Sequence, residues 1–177
     1  TSRWWTRAPA QRRRPAPDAP PTASPESPDV SRDVLQPPPH AHAIPYRVCY
    51  ADTDCMGRVY YANYLVWFER ARTELLRAAG LPYRQLEEAG AFLPVRACEV
   101  RYYGHAEYDD ALTLHTWISR LRHATAVFVT AVTRPPAPRI LVLGRVELAC
   151  ITRDGRPRPL PEEAAASLQR FLVAESP

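Results

Sequence analysis

Apolar residues recur at every third or fourth position between residues 63 and 79, which is the spacing of one side of an α-helix. These positions are Tyr64, Leu65, Phe68, Ala71, Leu75, Leu76 and Ala79, and most charged residues of the segment fall on the other side. Asn63 is a typical N-cap, Gly80 suits the position just past a helix, and Pro82 stops the helix from continuing. We therefore predict one long amphipathic helix over residues 63–79.

The pattern changes to alternation after Gly90, where four runs rich in β-branched and aromatic residues predict strands. These runs are 92–103, 111–121, 125–133 and 140–152; a shorter one, 46–50, precedes the long helix, and residues 83–89 predict a short second helix. The breaks between the four runs are short, which favours an antiparallel meander. A strand, a long helix and four antiparallel strands predict an α+β domain with an exposed sheet edge, through which copies of the chain are expected to pair.

The N-terminal segment differs in composition from the rest of the chain. Residues 1–45 contain eleven of the 20 prolines, including Pro37, Pro38 and Pro39, and they offer little apolar surface to offset the entropy of ordering. We predict a disordered Pro/Arg-rich tail over residues 1–44 and a single domain over residues 45–173.

Charge and cysteine content exclude several classes of function. No lysine occurs, which rules out a catalytic Schiff base, pyridoxal-phosphate attachment and a P-loop. The net charge of +4 is modest, and the run Arg12, Arg13 and Arg14 is too short to predict nucleic-acid binding. The four cysteines lack zinc-site spacing, and no apolar run is long enough to span a membrane, so we expect a cytoplasmic protein with free thiols.

Two carboxylates, Asp52 and Asp54, lie in a glycine-containing turn directly before the long helix. A carboxylate at a helix N-terminus lies beside unpaired backbone N–H groups, so it can activate water while those donors polarise a carbonyl. An Asx-turn or a cap is the structural alternative. A Mg²⁺ site would need more oxygen ligands than this turn offers, and Cys55 as a nucleophile would need a partner histidine, for which none is obviously placed.

The segment from Arg47 to Arg72, in which the turn Asp52-Thr-Asp is followed by Tyr60-Tyr-Ala-Asn-Tyr, resembles the opening motif of hotdog-fold acyl-CoA thioesterases. It is similar to the 4-hydroxybenzoyl-CoA thioesterases and to the Tol-Pal-associated acyl-CoA thioesterases. A weaker likeness continues in residues 102–114 and 154–161, so the resemblance covers about residues 45–165. It implies a five-stranded antiparallel sheet wrapped around one long central helix.

The resemblance also implies roles for individual residues. It makes Asp54 the catalytic carboxylate, and for Asp52 we expect a structural role instead, as a hydrogen-bond partner of the loop that aims Asp54. Backbone N–H groups between Gly57 and Tyr61 face the thioester carbonyl, and Tyr60 contacts the substrate. Many Tol-Pal-type members carry histidine at the position of Tyr61, whereas hydroxybenzoyl-type enzymes carry tyrosine. The side chains expected near the coenzyme A phosphates, for which guanidinium groups are well suited, are Arg122, His123, Arg156 and Arg158.

These roles imply an acyl-CoA thioesterase that needs no metal or cofactor and forms a homodimer or homotetramer. Its substrate is a small aryl-CoA or a short- to medium-chain acyl-CoA, with Asp54 acting either as general base or as nucleophile. Three alternatives stay open. One is a thioesterase for carrier-protein-bound acyl or polyketide chains. Another is a hotdog dehydratase or hydratase, which needs a histidine that this segment does not offer. The third is a non-catalytic module that binds through the arginine-rich tail.

Overall fold

A computed structural model of the chain describes residues 36–173. Its elements are β1 (His42–Arg47), α1 (Asn63–Ala78), α2 (Tyr83–Glu88), β2 (Val95–Tyr102), β3 (Ala111–Leu121), β4 (Thr125–Arg134), β5 (Ala137–Ala149) and α3 (Glu162–Gln169), with a short 3₁₀ turn at Tyr50–Asp52. Most of the predicted tail, residues 1–35, lies outside the described residues, so its disorder stays a prediction. Regular structure begins before residue 45, since β1 starts at His42.

The five strands form one antiparallel sheet in the order β1-β3-β4-β5-β2, which confirms the predicted α+β class and strand number. The predicted meander is correct for β3, β4 and β5 and wrong for β2. This strand pairs with β5 at the far edge, where Tyr102 lies opposite Val142. It cannot lie beside β3, because β1 already occupies that position through the pairing of Ile44 with Leu114.

The first strand differs from the one expected over residues 46–50. β1 ends at Arg47, and the chain then closes a tight turn in which the Cys49 N–H donates to the Asp52 carboxylate at 2.7 Å. This local side-chain bond competes with continued extended backbone, which is why the strand stops early. Pro45 is tolerated within β1 because β1 is an edge strand of the sheet.

Helix α1 packs its apolar side against β1, β3, β4 and β5. Its buried residues are Tyr64, Trp67, Phe68, Ala71, Leu75 and Leu76. The predicted bounds agree within one residue, and Gly80 has the positive φ of 78° expected just past the helix. Two details of the prediction are wrong. Leu65 is 45% exposed. Asn63 makes no cap hydrogen bond, because its side-chain amide donates to the Asp52 carbonyl oxygen at 2.8 Å instead.

Two further features bear on the site and on assembly. Strand β2 is exposed along almost its whole length, and within residues 36–173 no strand pairs with its outer edge. Helix α3, which packs on β3 through buried Ala164 and Leu168, was not predicted. The signal for it was present, since Pro161 followed by two glutamates is typical of a helix start.

Candidate active site

Residues 52–60, called the aspartate hairpin below, form a tight loop directly before α1. The Asp54 N–H donates to the Arg58 carbonyl oxygen at 2.8 Å, and the Gly57 N–H donates to the Asp54 carbonyl oxygen at 3.0 Å. Gly57 has a φ of 73°, a left-handed conformation that glycine adopts without steric cost. Hydrogen bonds on both sides of the Asp54 peptide unit therefore hold its backbone in one place.

The Asp54 carboxylate is held by one oxygen and open at the other. Its Oδ1 accepts a hydrogen bond from the Met56 N–H at 2.8 Å. Within residues 36–173, its Oδ2 has neither a hydrogen-bond nor an ion-pair partner. The residue is partly exposed, so solvent and a ligand can reach it. A fixed carboxylate with an open oxygen can accept a proton from water or attack a carbonyl carbon.

Asp52 has the supporting role that the sequence predicted. Its carboxylate accepts hydrogen bonds from the Tyr46 hydroxyl at 2.9 Å and from the Cys49 N–H at 2.7 Å. Its carbonyl oxygen accepts from the Tyr60 N–H and from the Asn63 side chain, both at 2.8 Å. Burial, together with the hydrogen bond to Asp52, raises the pKa of Tyr46 to about 12. Asp52 therefore ties β1 and the start of α1 to the hairpin.

The start of α1 offers backbone donors, at positions that differ from those expected. The N–H groups of Gly57 and Tyr60 already donate to backbone carbonyls of the hairpin, so neither is available to a ligand. In the described part of the chain, the N–H groups of Tyr61 and Ala62 have no acceptor. They lie at the positive end of the α1 dipole, where a developing negative charge is stabilised. The candidate oxyanion donors are therefore Tyr61 and Ala62 rather than Gly57.

Three tyrosines border the hairpin. Tyr60, Tyr61 and Tyr102 are 42%, 62% and 47% exposed. The rings of Tyr60 and Tyr61 lie 4.6 Å apart, and the Tyr102 hydroxyl donates to the Tyr61 carbonyl oxygen at 3.0 Å. A side-chain hydrogen bond with Tyr61 raises the pKa of Tyr60, and the negative charge of Asp54 adds to this effect. Tyr102 was missed as a site residue, although it opens the second segment that carries the family resemblance.

The four basic candidates lie near one another in the fold. Arg122 and His123 are in the turn between β3 and β4, and residues 150–160 pack beside this turn through backbone hydrogen bonds. Arg156 forms an ion pair within its own loop at 2.9 Å, and Arg158 donates to a backbone carbonyl just after α2 at 3.1 Å. In residues 36–173, the side chains of Arg122 and His123 have no such partner. These two are therefore the better placed of the four for an external anion.

The basic candidates are far from Asp54 within one subunit. The aspartate hairpin follows β1, whose last residue Arg47 pairs with Ala111 at the start of β3, whereas the basic turn follows Leu121 at the other end of that strand. A strand of this length, 11 residues, spans about 33 Å. A single chain therefore does not bring both groups to one small ligand.

The described residues offer little for other chemistry. Cys55 is an exposed free thiol. Within residues 36–173, no group of three or more His, Cys, Asp or Glu side chains is arranged to hold a metal ion. A cleft of about 410 Å³ lies beside Pro38 and His115, and no hairpin residue lines it. Among the described helices, none has the length and apolar character needed to cross a membrane.

Residues 48–168, which include the whole aspartate hairpin and all of α1, match the thioesterase-like superfamily. The chain belongs to this superfamily. The acyl-CoA thioesterase YbgC of Haemophilus influenzae is 36% identical over 132 residues, covering 73% of this chain and 95% of the relative. The acyl-CoA thioester hydrolase YbgC of Escherichia coli is 33% identical over 129 residues, covering 71% of this chain and 94% of the relative.

A solved structure supports the same grouping. The crystal structure of a probable thioesterase from Bartonella henselae superposes with a TM-score of 0.63 at 38% identity, covering 68% of this chain and 99% of that one. Membership in the thioesterase-like superfamily confirms the predicted family and the predicted class of enzyme, a thioester hydrolase. The residues that perform the hydrolysis remain proposals.

Proposed function

We propose that this member of the superfamily hydrolyses acyl-CoA thioesters, with Asp54 as the catalytic carboxylate. The observation that carries the proposal is the open Oδ2 of Asp54, held by the hairpin directly before the helix that presents the free N–H groups of Tyr61 and Ala62. The relatives named acyl-CoA thioester hydrolase and acyl-CoA thioesterase support the choice of substrate class.

Hydrolysis of a thioester needs an activated oxygen nucleophile and a stabilised oxyanion. Asp54 either takes a proton from water as a general base, or attacks the carbonyl carbon to form a mixed anhydride that water then cleaves. Both routes use the same open oxygen. The Tyr61 and Ala62 N–H groups donate to the carbonyl oxygen as it gains negative charge, and the α1 dipole adds to this stabilisation. The coenzyme A thiolate leaves and is protonated from solvent.

The acyl group is a small aryl or a short- to medium-chain group. Exposed aromatic rings border the hairpin at Tyr60, Tyr61 and Tyr102, and flat rings of this kind pack well against an aryl or compact apolar acyl group. The backbone N–H of Tyr61 is itself one of the proposed oxyanion donors, so its residue belongs to the same site.

The active unit is a homo-oligomer in which two copies pair along β2. Within residues 36–173 that edge has no partner strand, and exposed apolar side chains are present on β2 at Tyr102, beside it at Tyr61, and on α1 at Leu65. Antiparallel two-fold pairing of β2 reverses the second copy, so its basic turn is carried toward the Asp54 end of the first copy. This arrangement gives Arg122 and His123 a way to reach the coenzyme A phosphates despite their distance from Asp54 within one chain. A tetramer would be built from two such dimers.

The test compares wild type with Asp54→Asn on a panel of aryl-, short-chain and long-chain acyl-CoAs, by release of free thiol. Asparagine keeps the shape and the Met56 contact but lacks the charge, so kcat is expected to fall about 10²–10⁴-fold. Glu88→Gln, an amide substitution at an exposed site on α2, is the matched control and is expected to leave kcat unchanged.

Two results would contradict the proposal. Near-wild-type thiol release by Asp54→Asn removes this residue from the reaction. Faster hydrolysis of the same acyl group on a carrier protein than on coenzyme A replaces the proposed substrate by a carrier-bound one.

A further inference from the structure

The loop between β2 and β3, residues 104–110, lies beside the aspartate hairpin and is joined to it by backbone hydrogen bonds. The Val59 N–H donates to the Ala106 carbonyl oxygen at 2.8 Å, and Arg58 and Glu107 pair as an antiparallel bridge. The carbonyl oxygen of Arg58 in turn accepts the hydrogen bond from the Asp54 N–H. Any displacement of this loop is therefore passed to Asp54 through two neighbouring backbone pairings.

The more buried of two ion pairs that join this loop to the sheet is formed by Arg134 and Asp110. The Asp110 carboxylate accepts a hydrogen bond from the Glu107 N–H at 2.7 Å and a second one from the guanidinium of Arg134, at the end of β4. The same nitrogen of Arg134 donates to the His105 carbonyl oxygen at 3.0 Å. Arg134 thus bonds to both ends of the loop segment that lies under the hairpin, and it extends from a strand in the centre of the sheet.

We propose that Arg134 is a positioning residue for the hydrolysis, which sets the position of Asp54 through the 104–110 loop. The connection runs from Arg134 and Asp110 to the loop backbone, from there to Val59 and Arg58, and from Arg58 to Asp54. Arg134 does not touch the substrate. The inference rests on the proposed function, because it assumes that Asp54 is the catalytic carboxylate.

The hydrogen bonds that residue 134 makes to the 104–110 loop favour arginine over other cations. The bonds to the Asp110 carboxylate and to the His105 carbonyl oxygen both come from one guanidinium nitrogen, whose two N–H donors have fixed directions in a rigid plane, whereas a lysine ammonium rotates on a flexible stem. The second ion pair of this loop, between Arg47 and Asp109, is more exposed, although Arg47 also donates to the Asp109 carbonyl oxygen at 2.7 Å. Arg47 and Asp109 lie 3.5 Å apart with side chains 62% and 69% exposed, against 41% and 21% for Arg134 and Asp110. Arg134 therefore forms the less exposed of the two ion pairs that hold the loop.

The test measures kcat, KM and amide hydrogen exchange in Arg134→Lys and Arg134→Met. Displacement of a catalytic group by about 1 Å can cost about 10²-fold in rate, so kcat of Arg134→Met is expected to fall 10- to 100-fold while KM stays within about twofold. Arg134→Lys, which keeps the charge, should recover part of that loss. Hydrogen exchange at the Asp54 and Val59 amides should accelerate at least about tenfold in Arg134→Met, because the 104–110 loop is held less firmly and the hairpin opens more often.

The controls separate positioning from general stability. Arg84→Met removes an exposed ion pair on α2 and should leave kcat and both exchange rates unchanged. The Ile118 amide is the internal reference. It lies near the end of β3 that is remote from the hairpin and donates to the Phe171 carbonyl oxygen, so it should keep its protection against exchange. If Arg134→Met does not fold, Arg134→Lys alone decides, with smaller changes of the same kind.

Three results would overturn the inference. The first is a kcat within twofold of wild type, whatever the exchange rates. The second is a fall in kcat without faster exchange at Asp54 and Val59. The third is equal acceleration of exchange at Asp54, Val59 and Ile118, which indicates global destabilisation. Failure of the proposed function looks different, since it appears in the wild type or in Asp54→Asn, and the exchange measurement still decides whether Arg134 holds the hairpin.

Discussion

Gly144 in β5 faces Phe68 of α1 across the core, and the approach is too close for any side chain. A Cβ at residue 144 would lie 2.2 Å from one ring carbon of Phe68 and 2.5 and 2.6 Å from two others, whereas ordinary van der Waals contact begins at 3.4 Å. Gly144→Ala therefore requires the ring or the helix to move by more than about 1 Å in a close-packed interior. Glycine at this position lets α1 lie directly on the sheet.

The expected loss in unfolding free energy follows from the tight packing around the Phe68 ring. Phe68 is 1% exposed and belongs to the main hydrophobic core together with Tyr64, Trp67 and Leu75. Overpacking a core typically costs about 1–3 kcal/mol, and because three ring atoms are involved we expect the upper end, about 3 kcal/mol. For a domain of this size that loss lowers Tm by roughly 10 °C.

The assay is thermal and urea unfolding of Gly144→Ala and wild type at one protein concentration, since oligomer stability depends on concentration. Gly104→Ala is the matched control. A Cβ there meets the flexible end of Leu141 at 3.0 Å, so a loss below about 1 kcal/mol is expected. Adding Phe68→Leu should cost less in the Gly144→Ala background than in wild type. A loss within about 0.5 kcal/mol for Gly144→Ala, or additive effects of the two substitutions, would refute the reasoning.

Two further substitutions test the support of the hairpin and the assembly. Because the pKa of Tyr46 is raised from 10.0 to about 12, its contribution to stability is full below pH 10.0 and is lost as pH rises through 12. The unfolding free energy should fall more steeply over that range in wild type than in Tyr46→Phe, and parallel curves would contradict this. Leu65→Arg should convert the proposed dimer to monomers in light scattering, whereas Glu87→Arg on α2 should not; a Leu65→Arg variant that stays dimeric would exclude α1 from the interface.

Local sequence signals predicted most elements, because their determinants lie within a few residues. The apolar spacing over 63–79 and Gly80 located α1, and the alternation over 111–121 located β3 to the residue. Local signals failed where a side chain found a partner outside its own segment. Asn63 has the composition of an N-cap, yet its amide donates to the backbone of the aspartate hairpin. The strand expected at 46–50 gave way to a turn closed by Asp52.

The candidate site divides in the same way. The turn with Asp54 and the tyrosines before α1 were recognisable from the sequence, because the motif is continuous along the chain. The free donors could not be assigned from it, since only the hydrogen-bond pattern shows that the Gly57 N–H is already engaged and that those of Tyr61 and Ala62 are not. The role proposed for Arg134 could not be assigned from the sequence either, because Arg134 is more than 70 residues from the hairpin and is connected to it through the 104–110 loop.

The sequence by itself determined the class of the domain, the long helix, the superfamily and the carboxylate proposed for catalysis. Each of these is carried by a contiguous motif or by a short-range periodicity. Only the tertiary structure decided that β2 lies at the far edge, that the basic turn is a strand length away from Asp54, and that Arg134 pairs with Asp110 in the loop beside the hairpin. These features depend on strand order and on contacts between distant segments. Such contacts arise when the chain packs, and no local sequence pattern reports them.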